Sequence, residues 1–293
     1  MSTPNRSGGK RRFLLLLSLV VGGILLVTVA LVYPVAERNA QTALLREAVH
    51  KKDAGMVRLL LAKGADPNAL YVAPPSGFAD LLQAAFHLGK PHKNGSTIFI
   101  YAAGNCPTPI LQSLLEAGGN VRDETAYEKT ALNMAAGASL FWYPKLNGNL
   151  AFLVEHGADV NHADKLGETP LYAAADNPQD LAFLLAHGAD PNRADRVGNT
   201  PLLVAAALGN TVTMQALLQA GANLHARNVK GVTALMEAAD AGEIKTVSFL
   251  LKSGADPTMR DQKGQTAEDY AKSSNHPIIA SMIHQYRPHT AKK

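Results

Sequence analysis

The groups in this chain that could carry acid–base, nucleophilic or metal chemistry are ten histidines, one cysteine and 24 acidic residues, and their placement argues against all three. There is no glycine-rich phosphate loop, no Gly-x-Ser-x-Gly and no His-Glu-x-x-His. Cys106 stands alone, which removes an internal disulfide and a thiolate metal cluster. His156 and His187 each sit just before a glycine, Gly157 and Gly188, as helix-end residues that favour the helix dipole do. Asp66, Asp159, Asp190 and Asp256 recur with the same regularity and read as turn formers before they read as acids. The expectation is a chain without enzymatic activity, cofactor or metal, an active site in an insert at 70–91 being the remaining alternative.

The regularity itself is the stronger signal. Gly188 to Thr200, GADPNRADRVGNT, recurs as Gly157 to Thr169, Gly221 to Thr233 and Gly254 to Thr266, each followed by an Ala- and Leu-rich run. Helix-starting threonines at 97, 130, 169, 200, 233 and 266 keep step with helix-ending glycines at 64, 118, 157, 188, 221 and 254. A fixed period of this kind means a stack of one supersecondary unit, in which neighbours supply the core that a single unit lacks. Threonine before a helix caps a free amide, and proline at the first helical position needs no intrahelical donor. Ala173 and Ala174 are small enough for close helix approach. Leu184 with Leu185, Leu217 with Leu218 and Leu250 with Leu251 form the apolar stripe of each second helix, and glycine supplies the left-handed residue that ends it.

Thr169-Pro170-Leu171-Tyr172-Ala173-Ala174 and Thr200-Pro201-Leu202-Leu203-Val204-Ala205 resemble the T-P-L-H-x-A signature of ankyrin repeats, over about residues 41–286. The resemblance implies an all-α solenoid of about seven helix-turn-helix units with short β-hairpin loops. The units run 41–69, 93–124, 126–163, 165–194, 196–227, 229–260 and 262–288, within a repeat domain at 41–288. It also implies a protein partner, docked on a concave face of hairpin tips and first helices. The matching positions are Tyr127, Lys129, Leu166, Glu168, Arg196, Val197, Asn199, Lys230 and Val232, with Asp176 and Leu208 along the helix ends. Leu166, Val197 and Val232 are expected to be its exposed apolar members.

Departures from the period mark loops, where recognition concentrates. An insertion at 70–91 includes the helical pattern Phe78 to Leu88, six extra residues fall in 139–147, and the fourth unit is two residues short around Asp176 to Pro178. Phe141, Trp142 and Tyr143 lie in the second of these and read either as packing or as a contact patch.

Ahead of the repeats, Phe13 to Tyr33 carries no charge and reaches roughly 31 Å as a helix, enough to cross a bilayer. Residues 1–12 form a basic tail and 34–40 a connector, with 289–293 a C-terminal tail. Arg6, Lys10, Arg11 and Arg12 account for the whole net charge of +4, leaving 24 basic and 24 acidic residues elsewhere. A pI near 9.1 therefore does not argue for nucleic acid. These features predict a membrane-anchored, monomeric protein of a bacterial inner membrane, residue 1 in the cytoplasm and the repeats in the periplasm. A toxin-immunity role is the expectation, with a scaffold or helper of a periplasmic enzyme as the alternative.

Overall fold

The computed structural model describes residues 38–71, 96–137 and 147–286. Their helices fall into seven antiparallel pairs: α1 (38–50) and α2 (Ala54–Ala62), α3 (Ile98–Asn105) and α4 (Thr108–Glu116), α5 (Ala131–Gly137) and α6 (Asn147–Glu155), α7 (Pro170–Ala173) and α8 (Pro178–Ala186), α9 (Pro201–Ala207) and α10 (Thr211–Gln219), α11 (Ala234–Ala241) and α12 (Ile244–Lys252), α13 (Ala267–Ser273) and α14 (Pro277–Gln285). First helices stack on first helices, α3 on α5 and α9 on α11 on α13, while each second helix packs behind its own partner.

The residue choices explain this arrangement. The hydroxyls of Thr97, Thr130, Thr169, Thr233 and Thr266 each accept the amide three residues on. Thr200 holds the same place without that bond, and its buried hydroxyl has no partner. At the other end, Gly188 has φ +86° and donates to Leu185, while Ala189 donates to Leu184, which satisfies two otherwise orphaned carbonyls. A side chain on Gly188 would meet nothing within 4 Å, so conformation rather than space demands glycine there.

One apolar cluster runs the length of the stack, from Leu45 to Ile283. Leu184, Leu217 and Leu250 are fully buried, each contributing roughly 2 kcal/mol. The alanines that let first helices close up are Ala174 and Ala175, one step on from the expected pair; Ala173 is only half-buried. Asparagines latch successive units: Asn161 donates to the Gly188 carbonyl at 2.9 Å and accepts the Asp190 amide at 2.9 Å, and Asn192 does the same with Gly221 and Asn223 at 3.0 and 2.8 Å. In the last unit Asp269 closes a capping box with Thr266.

Several expectations need correction. The loops are not β-hairpins: among the described residues the pairing is confined to isolated bridges, Leu70 with Thr97, Glu124 with Thr130 and Arg227 with Thr233. From the third unit on each loop closes on itself with a backbone bond across five residues, as Asp195 to Asn199, which is too short for a ladder, and bonds to the neighbouring loop as well. The transmembrane helix is withdrawn. Residues 13–33 lie outside the described residues, and among those described no helix is long and apolar enough to cross a membrane. The longest, α1, reaches roughly 20 Å where a span needs about 30 Å. The membrane as a partner, the anchored topology and the inner-membrane location go with it. The tails at 1–12 and 289–293, the segment Phe78 to Leu88, and Phe141, Trp142 and Tyr143 also lie outside the described residues. The two-residue shortening of the fourth unit falls on its first helix: α7 has four residues where α9 has seven, and the turn after α7 is one residue longer.

Candidate protein-binding face

Each loop from the third unit on is built by one side chain placed five residues before the helix-starting threonine. Asp164 Oδ1 accepts the amides of Leu166 and Glu168, Asp195 Oδ1 those of Val197 and Asn199, and Asp261 Oδ1 those of Lys263 and Gln265. Asn228 does this in the sixth unit and Thr125 in the third. A short oxygen-bearing side chain folds the loop back on itself, as in other Asx and ST turns. These residues were legible only as a row at a fixed offset from threonine, a signal the turn formers Asp159 and Asp190 overshadowed.

Loops so shaped bond tip to tip. The amide of Lys165 donates to Tyr127, Arg196 to Leu166, Val229 to Val197 and Gln262 to Lys230, at 2.8 to 2.9 Å. The tips therefore form a rail with one two-residue step per repeat. Tyr127, Leu166, Val197 and Val229 stand along it, from 51% exposed at Val197 to 57% at Val229. Val232, expected among them, is 5% exposed and belongs to the core; it directly precedes Thr233, where the chain has already turned inward. Val229, which pattern reading passed over, takes its place. Leu208 is 54% exposed at the end of α9, and Asp176 is half-buried at the corresponding end of α7, where burial pushes its carboxyl pKa up.

The polar positions divide by role. Lys129 Nζ lies 3.3 Å from both Asp164 and Glu168, tying the third unit to the fourth. Burial works against its ammonium, but the two carboxylates outweigh it and hold its pKa above the ordinary value. Lys129 and Glu168 are thus engaged with each other. Asn199 bridges inward to Asp195 and outward to Asn228, whereas Arg196 and Lys230 extend into solvent. Behind the rail, Tyr172 donates to Asp195 at 3.1 Å and Tyr270 to Asp261 at 3.0 Å. Burial first, then these carboxylates, push both phenols up to about 12, so they remain donors across the physiological range.

Glu237, on α11, has its carboxyl pushed above the ordinary value by burial and by Asp240, with Lys230 opposing. An acid raised in this way weakens the fold where it must ionise. The penalty is absent below the ordinary pKa of about 4.3 and complete above the folded-state value. Glu237→Gln is therefore expected to raise the melting temperature at neutral pH and to leave it unchanged at about pH 3. A variant that melts with the parent protein at neutral pH would contradict this reading of the site.

Two depressions on the second-helix side, one lined by Ile244, Phe249 and Met282 and the other by Ile278, Met282 and Gln285, are shallow. Neither encloses a small molecule. Among the described residues no group of three or more His, Cys, Asp or Glu is placed to hold a metal. Cys106 is buried, and burial pushes its thiol up to about 11, far from a reactive thiolate.

Stacked helix pairs joined by tip-bonded loops define an all-α, ankyrin-like solenoid of seven units. Residues 180–261 match the family model for ankyrin repeats in three copies, and residues 39–70 match that for a single ankyrin repeat. No curated protein matches the chain. Repeats of this class are typically non-catalytic scaffolds for protein–protein interaction. The bacterial origin, the periplasmic setting and the toxin-immunity role are withdrawn, because the matches reach a repeat class and go no further.

Proposed function

We propose that the array binds a protein partner along the rail of loop tips and the first helices behind it. The observation that carries this reading is the row Tyr127, Leu166, Val197 and Val229. These are apolar side chains about half in water, one per repeat; Tyr127, Leu166 and Val197 stand three residues before the helix-starting threonine and Val229 four, and direct backbone bonds join their loops. Exposed apolar groups at such regular spacing contribute nothing to the core, and a rigid platform lowers the ordering cost of docking. Arg196 and Lys230 flank the row, while Leu208 and Asp176 extend it toward the helix ends. Lys129, Glu168 and Asn199 act on it indirectly by joining loops.

Photo-crosslinking in the full chain tests the reading. A crosslinking residue at Val197 is expected to capture one dominant protein, and one at Lys252, on α12, is not. Serine at Tyr127, Leu166, Val197 and Val229 together is expected to weaken binding of that protein at least about tenfold with unchanged melting temperature. Equal capture at both positions, or undiminished binding by the serine variant, would sink the proposal.

A further inference from the structure

The tips carry a second periodic feature. The two-residue steps are Lys165-Leu166, Arg196-Val197, Val229-Lys230 and Gln262-Lys263, so each of the last four tips presents one exposed cation. The acids that neighbour these cations in sequence are turned inward. Asp164 and Asp261 are buried, and both Asp195 and Asp261 use one oxygen on loop amides and the other on a tyrosine hydroxyl. Burial raises Asp261, but its hydrogen bonds from Gln265, Tyr270 and Lys263 outweigh that and hold it below the ordinary value, so it stays an inward-bound carboxylate. What remains facing outward is a stripe of positive charge interleaved with Leu166, Val197 and Val229. Among the described residues two acids face it: Glu128, 3.9 Å from Lys165 in an exposed pair of little strength, and Glu237, which lies within the field of Lys230; the Lys165 ammonium also donates to the Ala126 carbonyl.

Resting on the binding face proposed above, we infer that this stripe takes an extended acidic segment of a partner protein, with a carboxylate at about every third residue and apolar residues between. The spacing follows from the fold. Stacked helices lie about 8–10 Å apart, and extended or polyproline chain advances about 3.1–3.4 Å per residue, so three residues of partner pass per repeat. Charge complementarity selects the sign, and the aliphatic members of the first three steps select peptide over nucleic acid, which would call for a series of stacking aromatic rings where the described rail has Tyr127 alone.

Fluorescence anisotropy on the full chain tests this with four labelled probes. They are a peptide of about a dozen residues with glutamate at every third position and valine beside it, its glutamine twin, a peptide of the same composition with its glutamates clustered, and a single-stranded oligonucleotide. The regularly spaced acidic peptide is expected to bind at least about tenfold more tightly than either other peptide, with affinity falling as salt rises to about 0.15 M. The variant K165E/R196E/K230E/K263E, changed only at exposed positions, is expected to lose at least about tenfold in affinity with its melting temperature unchanged. Equal binding of the glutamate and glutamine peptides, indifference to charge reversal, or tighter binding of the oligonucleotide overturns the inference. If charge reversal leaves the crosslinked partner bound while the serine variant releases it, the acidic-segment inference alone fails. If neither variant matters, the binding face fails with it.

Discussion

Asn149→Ala is expected to destabilise the array by about 3 kcal/mol. Asn149 is completely buried in α6, yet it serves another unit. Its Nδ2 donates to the carbonyls of Ala103 at 2.9 Å and Cys106 at 2.8 Å, at the C-terminal end of α3, and its Oδ1 accepts the Thr108 hydroxyl at 2.8 Å. Carbonyls in the last turn of a helix have no intrahelical donor, so this one amide caps α3 from the next repeat. Alanine leaves both carbonyls dry and unpaired, which costs about 1–3 kcal/mol each before relaxation. Because each unit contacts only its neighbours, the damage should stay local. Urea unfolding should become less cooperative, and hydrogen exchange should quicken over 98–116 and 147–155 while 234–285 keeps its protection. A loss below about 0.5 kcal/mol, or exchange that quickens evenly along the chain, would mean that Asn149 is no keystone between units.

Gly198→Ala should cost about 2–3 kcal/mol, clearly more than Gly188→Ala, although both glycines have nearly the same backbone conformation. At Gly198 φ is +82° and at Gly188 +86°, so the strain of a left-handed alanine, about 1–2 kcal/mol, is shared. The difference is space. A Cβ on Gly198 would fall 2.9 Å from Asn228 Cα and from the Val229 amide nitrogen, which donates to Val197, whereas one on Gly188 meets nothing. Glu128 occupies the Gly198 position in the third loop at φ +59°, so a side chain can adopt this conformation. What Gly198 cannot give up is the approach of the next tip. Equal losses in the two variants, measured by thermal unfolding, would show that backbone strain alone matters and that the tip-to-tip bond contributes nothing.

Much of the stack is legible in residue types and their spacing. Thr97, Thr130, Thr169, Thr200, Thr233 and Thr266 all precede first helices, and the six marker glycines all end second helices with positive φ. Capping and left-handed termination are local demands, satisfied within a few residues and visible as residue types at fixed intervals. The proposed binding face is only partly legible in the same way. Leu166 and Val197 are exposed as expected, but Val232 is core and Val229 is not, because a shift of three residues through a tight turn carries a side chain from one side to the other. Asn149 gives no local sign at all, since its partners lie more than 40 residues away.

Residue types and their spacing establish that one helix-pair unit repeats, where first helices begin and second helices end, and that neighbouring units must share a core, because those features follow from short-range chemistry. Which charges meet solvent depends instead on the stacking of distant units. Lys165, Arg196, Lys230 and Lys263 stand 31 to 34 residues apart within residues 13–293, whose 24 basic and 24 acidic residues cancel. Stacking brings them onto one edge, and loop amides draw Asp164, Asp195 and Asp261 inward. A balanced body thereby presents an edge on which cations outnumber acids, which no count along the chain could reveal.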